Sequence, residues 1–238
     1  MPKHSKRYSS AAEQIEVDNV YQPQEAIDII KGSSSAKFDE TMEVHLRTSA
    51  DTRHAEQMVR GVAILPHGLG KQVRVAVFAG GEAADIARQA GADFVGDDDL
   101  IEQVEGGWAD FEVGLAVPDI MPKIGKLGRV LGRRGLMPNP RTGTMVQPRD
   151  LPRTIEEAKA GRLEFRTDRT SIIHSQFGKL SFSSEHLMDN LAVLMDSVMR
   201  EKPEAIKGVF LRSAYITSTM GPSVNIDIGT LQGLKPED

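Results

Sequence analysis

The chain has 238 residues, 39% of them hydrophobic, enough to bury one large core or two modest ones. It contains no cysteine, which excludes disulfides and thiolate metal sites and fits a reducing compartment. A net charge of -5 argues against a uniformly basic nucleic-acid binder, but the charge is unevenly spread. Gly80 to Glu112 holds ten acids against Arg88 alone, whereas Asp119 to Asp150 holds seven bases against two acids. Local potential decides where a polyanion lands, so a basic surface on an acidic chain stays compatible with RNA binding.

Taken in chain order, the basic start Met1 to Arg7 leads into Ala11-Ala12-Glu13-Gln14 rather than an apolar run, so no signal peptide is expected. No apolar stretch is long enough to span a membrane, and a cytoplasmic protein with no membrane partner is expected. Ser33-Ser34-Ser35 reads as a loop. Met42 to Arg47 alternates apolar and polar residues, the pattern of a strand buried on one face. His67-Gly68-Leu69-Gly70-Lys71 is glycine-rich and suits a hinge.

The middle of the chain has a different period. Val73 to Ala79 is a continuous apolar run, followed by a helical pattern from Glu82 to Gln89 that stops at Gly91. Asp93-Phe94-Val95, the helix Asp98 to Glu105 and the strand Phe111 to Val117 repeat the unit. Doubly apolar strands alternating with helices fit a parallel sheet covered by helices. Further on, Leu163 to Thr167, Ile172 to Phe177, Val209 to Thr217 and Val224 to Ile228 read as strands, and Ser184 to Lys202 as an amphipathic helix that Pro203 follows. The expected fold is therefore α/β in two domains. A split α+β domain with an antiparallel sheet comes from 1–68 plus 160–238, and an inserted Rossmann-like three-layer α/β domain spans 69–159.

Catalytic motifs fail on residue type. Leu65 stands where a P-loop ending in Gly70-Lys71 needs glycine, and the zinc of a deaminase-like His54-Ala55-Glu56 would need cysteines. The remaining histidines are scattered, so catalytic and metal sites are expected to be absent. Gly80-Gly81 at a strand end offers an anion turn, but it lacks the full Gly-x-Gly-x-x-Gly spacing and the acids downstream would repel phosphate, so a tight turn is the better reading. Asp97-Asp98-Asp99 reads as the start of a helix. Gly125 to Gly143, rich in glycine and arginine, is either a solvated basic loop or a phosphate-facing one.

Five separated segments carry a family resemblance. Lys37-Phe38-Asp39-Glu40-Thr41, Leu65 to Lys71, Leu136-Met137-Pro138-Asn139-Pro140, Phe165-Arg166-Thr167-Asp168 and Thr219-Met220-Gly221-Pro222-Ser223 resemble the bacterial ribosomal protein L1 family, in order along the chain. The resemblance implies a non-enzymatic protein without cofactors, monomeric when free. It also implies binding to the large-subunit rRNA stalk region, contact with exit-site tRNA whose release it assists, and repression of its own mRNA through the leader. Carried over to this chain, the RNA contacts would be Lys37, Phe38, Thr41, Glu43, Arg166, Asp168, Arg169, Ser213, Thr219, Met220 and Gly221. Hydroxyls suit ribose 2′-hydroxyls, glycine admits close backbone approach, and lysine suits phosphate. Arg169-Thr170-Ser171 departs from the family's usual lysine, threonine, glycine. The competing readings are a small-ligand or nucleotide-binding enzyme using the central unit, and a scaffold that meets its partner through the basic segment.

Overall fold

A computed structural model describes residues 5–16 and 19–236. In chain order the elements are α1 (Lys6–Ala12), α2 (Pro23–Ser33), β1 (Thr41–Thr48), β2 (Arg60–Ile64), β3 (Val75–Phe78), α3 (Gly81–Gln89), β4 (Phe94–Gly96), α4 (Asp98–Glu105) and β5 (Val113–Ala116). There follow α5 (Met121–Ile124), α6 (Gly128–Arg134), α7 (Leu151–Ala160), β6 (Arg162–Arg166), β7 (Ile172–Lys179), α8 (Ser184–Arg200), β8 (Leu211–Ser218), β9 (Val224–Asn225) and α9 (Ile228–Gly233). The architecture is mixed α/β. The chain divides into two compact units, one made of the residues up to Gly70 with those from Leu163 onward, the other of Lys71–Arg162.

The first unit is built on a four-stranded antiparallel sheet in the order β7-β1-β8-β9, beside a two-stranded β2-β6 ribbon. Strand alternation sorts the residues of β1. Met42, Val44 and Leu46 are buried with Ile173 and Phe177 of β7, Ala214 and Ile216 of β8, and Leu187, Leu191 and Leu194 of α8. The intervening residues Thr41, Glu43, His45 and Arg47 are partly or fully exposed on the opposite face. α8 starts where the Ser183 hydroxyl accepts from the His186 amide, and its apolar residues at helical spacing cover the inner face of the sheet.

The glycine-rich run after β2 is tied down within this unit. Asn190, fully buried on α8, accepts from the His67 amide at 3.1 Å and donates to Gly68 and Phe177 carbonyls at 3.0 and 2.8 Å. His67 stacks on His186 and meets Asp189 at 2.8 Å. A Cβ on Gly70 would lie 2.6 Å from Lys179 Cγ. Residues 67–70 of the expected hinge segment are thus held within this unit, and the lack of a Cβ on Gly70 admits the close approach of Lys179.

The second unit carries a three-stranded parallel sheet in the order β4-β3-β5, whose central strand is buried throughout. α3, α4 and α7 give Ala84, Ala87, Leu100, Val104, Ile155 and Ala158 to its core. The basic segment expected as a loop is largely helical, since Ile124, Leu127 and Leu131 recur at helical spacing and are fully buried. That burial overrides the poor helix propensity of the intervening glycines. Gly135 ends α6 at φ 73°, the left-handed conformation that glycine adopts without strain.

Candidate nucleic-acid interface

One end of the antiparallel sheet is organised by a buried carboxylate, Glu40, only 2% exposed. Its Oε1 accepts from the Ser34 hydroxyl at 2.6 Å, and its Oε2 from the Ser218 hydroxyl at 2.7 Å and the Met220 amide at 2.8 Å. Burial by itself pushes the Glu40 carboxyl up, but these donors, with Arg7 adding, outweigh it and hold it below the usual carboxylate range. One side chain thereby fixes the loop after α2, the start of β1 and the turn after β8. Asp39 assists by accepting from the Ser181 amide and hydroxyl at 3.1 and 2.8 Å.

The turn itself closes through the Gly221 amide donating to the Ser218 carbonyl at 3.2 Å. A Cβ on Gly221 would sit 2.5 Å from Ser218 Oγ, the hydroxyl that Glu40 holds, so an intrachain contact already demands glycine here. Thr219 bridges to β1: its Oγ1 accepts from the Thr41 amide at 3.0 Å, and its amide donates to the Thr41 carbonyl at 3.1 Å. Thr41 Oγ1 accepts from Lys179 at 2.8 Å. Pinned this way, the frame presents two apolar side chains to solvent, Phe38 at 54% and Met220 at 48% exposure. Lys37 beside them is exposed and has no ion pair among the described residues.

The residues singled out in the sequence fall into two groups. Thr41, Glu43, Thr219, Met220 and Gly221 share this end of the sheet, with Lys37 and Phe38 on the adjoining loop. Ser213 pairs with Arg47, six residues along β1 from Thr41, or about 20 Å at strand rise. Asp168 and Arg169 lie at that far end, in the turn between β6 and β7, and the Arg169 carbonyl accepts from Thr52. Asp168 is an organiser of this turn: its Oδ1 accepts from the Thr170 and Ile172 amides at 2.8 and 2.9 Å. Its burial is outweighed by the Ile172 and Thr170 donors and the neighbouring His174, which leave the carboxyl below its usual range. Arg166, Arg169 and Arg47 are exposed without ion pairs among the described residues.

The open sheet face sets Glu43, an expected contact, in a cross-strand row, and next to it a row around His45 that sequence reading did not single out. Glu43 sits between Gln176 and Thr217, and His45 between His174 and Tyr215. Strand pairing, invisible in a single sequence, creates these rows. Glu40 was also missed as a site residue, because nothing in the sequence separates it from a solvated acid.

The anion turn in the second unit has the wrong surroundings for an anion. The hollow at Gly80-Gly81 is lined by Asp85, Asp97 and Asp99, and its one cation, Arg88, is held by Asp85 at 2.8 Å. Lys123 pairs with Asp97 and Asp98 at 3.0 and 2.9 Å. Among the described residues no group of three or more histidine, aspartate or glutamate side chains could hold a metal ion. No helix among them is long and apolar enough to cross a membrane.

The braced sheet end thus presents Phe38, Met220 and the unpaired cation Lys37 on one exposed surface. Residues 30–222 match the Ribosomal protein L1p/L10e family, and the chain belongs to that family. It is 52% identical over 231 residues to the large ribosomal subunit protein uL1 of Thermomicrobium roseum, covering 97% of this chain and 96% of that one. It is likewise 52% identical over 236 residues to the uL1 protein of Chloroflexus aggregans, covering 99% and 100% of the two chains. The uL1 protein of Cutibacterium acnes is 52% identical over 225 residues, covering 94% and 96%. The family is structural rather than enzymatic, and binding of rRNA is general to it.

Proposed function

We propose that this protein is a structural component of the large ribosomal subunit in the cytoplasm and grips the rRNA of the stalk region through the open end of its antiparallel sheet. In this reading residues 1–68 with 160–238 form the RNA-binding domain and 69–159 an inserted one. The observation that carries it is the Glu40 brace, which spends a buried charge on holding Thr41, Thr219 and Met220 in one geometry. Preorganisation of that kind lowers the ordering cost of binding. Thr219, Thr41, Glu43 and Ser213 offer partners for ribose hydroxyls, Phe38 and Met220 offer apolar surface to ribose and base, and Lys37, Arg166 and Arg169 offer phosphate contacts. Gly221 and Asp168 shape the two turns.

Further roles follow from the same reading: assisting release of deacylated tRNA from the exit site, and repressing translation of its own mRNA through a leader that mimics the rRNA site. The test is a binding titration against a stalk rRNA fragment, with a scrambled duplex of equal length as control. Wild type binds the fragment selectively, and Phe38→Ser with Met220→Ser loses at least about tenfold, the worth of one stacked or packed base. Equal weak binding of wild type to both RNAs would overturn the proposal.

A further inference from the structure

The two groups of proposed RNA contacts are joined across the open sheet face by a line of titratable side chains. His45 of β1 and His174 of β7 stand directly opposite each other, with Nδ1 atoms 2.9 Å apart and rings edge to face at 4.9 Å. His45 Nε2 lies 3.9 Å from Glu43, and His174 Nε2 lies 3.5 Å from Asp168. The side chains of His45 and His174 are 25% and 51% exposed, so the pair is open to solvent and to any polyanion that covers the face.

An Nδ1–Nδ1 hydrogen bond can hold only one proton, because one nitrogen must donate and the other accept. Two neutral imidazoles satisfy it, and so does one imidazolium with one imidazole; two imidazolium rings do not. The titratable and charged groups around the pair are Glu43 and Arg47 on β1, Tyr215 on β8, Asp168 in the turn before β7, and Arg166 at the end of β6, next to Thr167, which bridges to Ile173; Asn225 and Gln176 on the flanking strands are uncharged. Burial, and then His174, disfavour the charged form of His45, with Glu43 opposing them.

We propose that the His45–His174 pair is a proton-linked contact for RNA, taking up one proton when the polyanion covers the sheet face. This rests on the RNA-binding reading above. The phosphodiester backbone brings negative charge next to imidazoles already flanked by two carboxylates, which favours the singly protonated pair. That one cation offsets the repulsion that Glu43 and Asp168 exert on phosphate. Binding then tightens as pH falls, within a ceiling of about tenfold per pH unit for one proton.

The test is the dissociation constant for the stalk rRNA fragment at fixed salt between pH 8 and pH 6, for wild type, His45→Gln with His174→Gln, and His67→Gln as a histidine control elsewhere. We expect wild type and the control to tighten about fivefold over this range, within the one-proton ceiling, and the double variant to be flat. Imidazole NMR on wild type needs no substitution, and RNA at constant pH should drive the pair to the singly protonated form. A flat wild-type profile, or a double variant that keeps the wild-type slope, overturns the proton linkage while leaving RNA binding standing. Absence of selective RNA binding at every pH overturns both.

Discussion

Replacing Glu40 with glutamine probes the brace without changing its shape. The two donors at Oε2, the Ser218 hydroxyl and the Met220 amide, keep the glutamine carbonyl on their side, since the backbone N–H cannot turn away. The new amide then faces Ser34, whose hydroxyl can rotate to accept. Each of the three bonds falls from the charge-assisted to the neutral range, about 1 kcal/mol apiece, and relief from burying a carboxylate returns about 1, for a net loss near ~2 kcal/mol. Glu40→Ala, which leaves those donors without an acceptor, should cost about 4 kcal/mol. Because Glu40 is held below its usual range when folded, its contribution is present above the unfolded carboxylate pKa and is lost as pH falls through the folded one. The glutamine variant lacks this acid-dependent loss. Denaturant unfolding with amide exchange read at Met220, Thr219 and Thr41 gives both quantities. Wild-type stability in the glutamine variant, with unchanged protection at Met220, would refute the brace.

Gly221→Ala should unseat Ser218 from Glu40, because the added Cβ falls 2.5 Å from that hydroxyl; a loss of about 1–3 kcal/mol is expected, read as the unfolding midpoint. In the second unit, hydrogen bonds from Arg74 dominate the Glu112 carboxyl, with burial opposing them and Lys71 adding, and bring it down to about 2. Its stabilisation is therefore present above the ordinary value of 4.5 and disappears as pH falls towards 2. Glu112→Gln should flatten that limb in an acid titration of Trp108 fluorescence, since this sole tryptophan sits in the same unit. With few lysines and arginines at the proposed face, RNA affinity should fall shallowly with salt, releasing about one to three counterions, and a steep slope in a salt titration would contradict that.

Regular elements were legible where periodicity was strong. The reading Ser184 to Lys202 became α8 at Ser184–Arg200, and Asp98 to Glu105 became α4 with those bounds. Val224 to Ile228 shortened to β9 at Val224–Asn225 because Asp227 caps a helix, accepting from the Thr230 amide at 2.7 Å. α2 went unread although Pro23 at its first turn, with Ala26, Ile27 and Ile30 inward, carries a helix signature; Ser33, taken for loop, is its last residue. α6 was hidden by glycines that tolerate a helix only because Leu127 and Leu131 are buried. The site was less legible than the fold. Family resemblance supplied its residues, whereas the separation of Ser213 and Asp168 from Thr219 depends on strand register, and the role of Glu40 depends on partners 178 and 180 residues away.

That register also decides which substitutions can report on RNA contact. Thr219 and Gly221, the obvious targets in the sequence, are both engaged inside the protein: Thr219 Oγ1 accepts from the Thr41 amide, and Gly221 makes room for Ser218. Thr219→Val would remove an internal hydrogen bond together with any external one, and Gly221→Val would displace the hydroxyl that Glu40 holds. Loss of RNA affinity in either would follow from a disordered frame as readily as from a missing contact. Phe38 and Met220 differ, because each is about half exposed and its side chain has no polar role in the brace. Thr219→Ser, which keeps the hydroxyl, completes the comparison: it should preserve the frame and the affinity together, whereas Phe38→Ser and Met220→Ser should preserve the frame and lose the affinity.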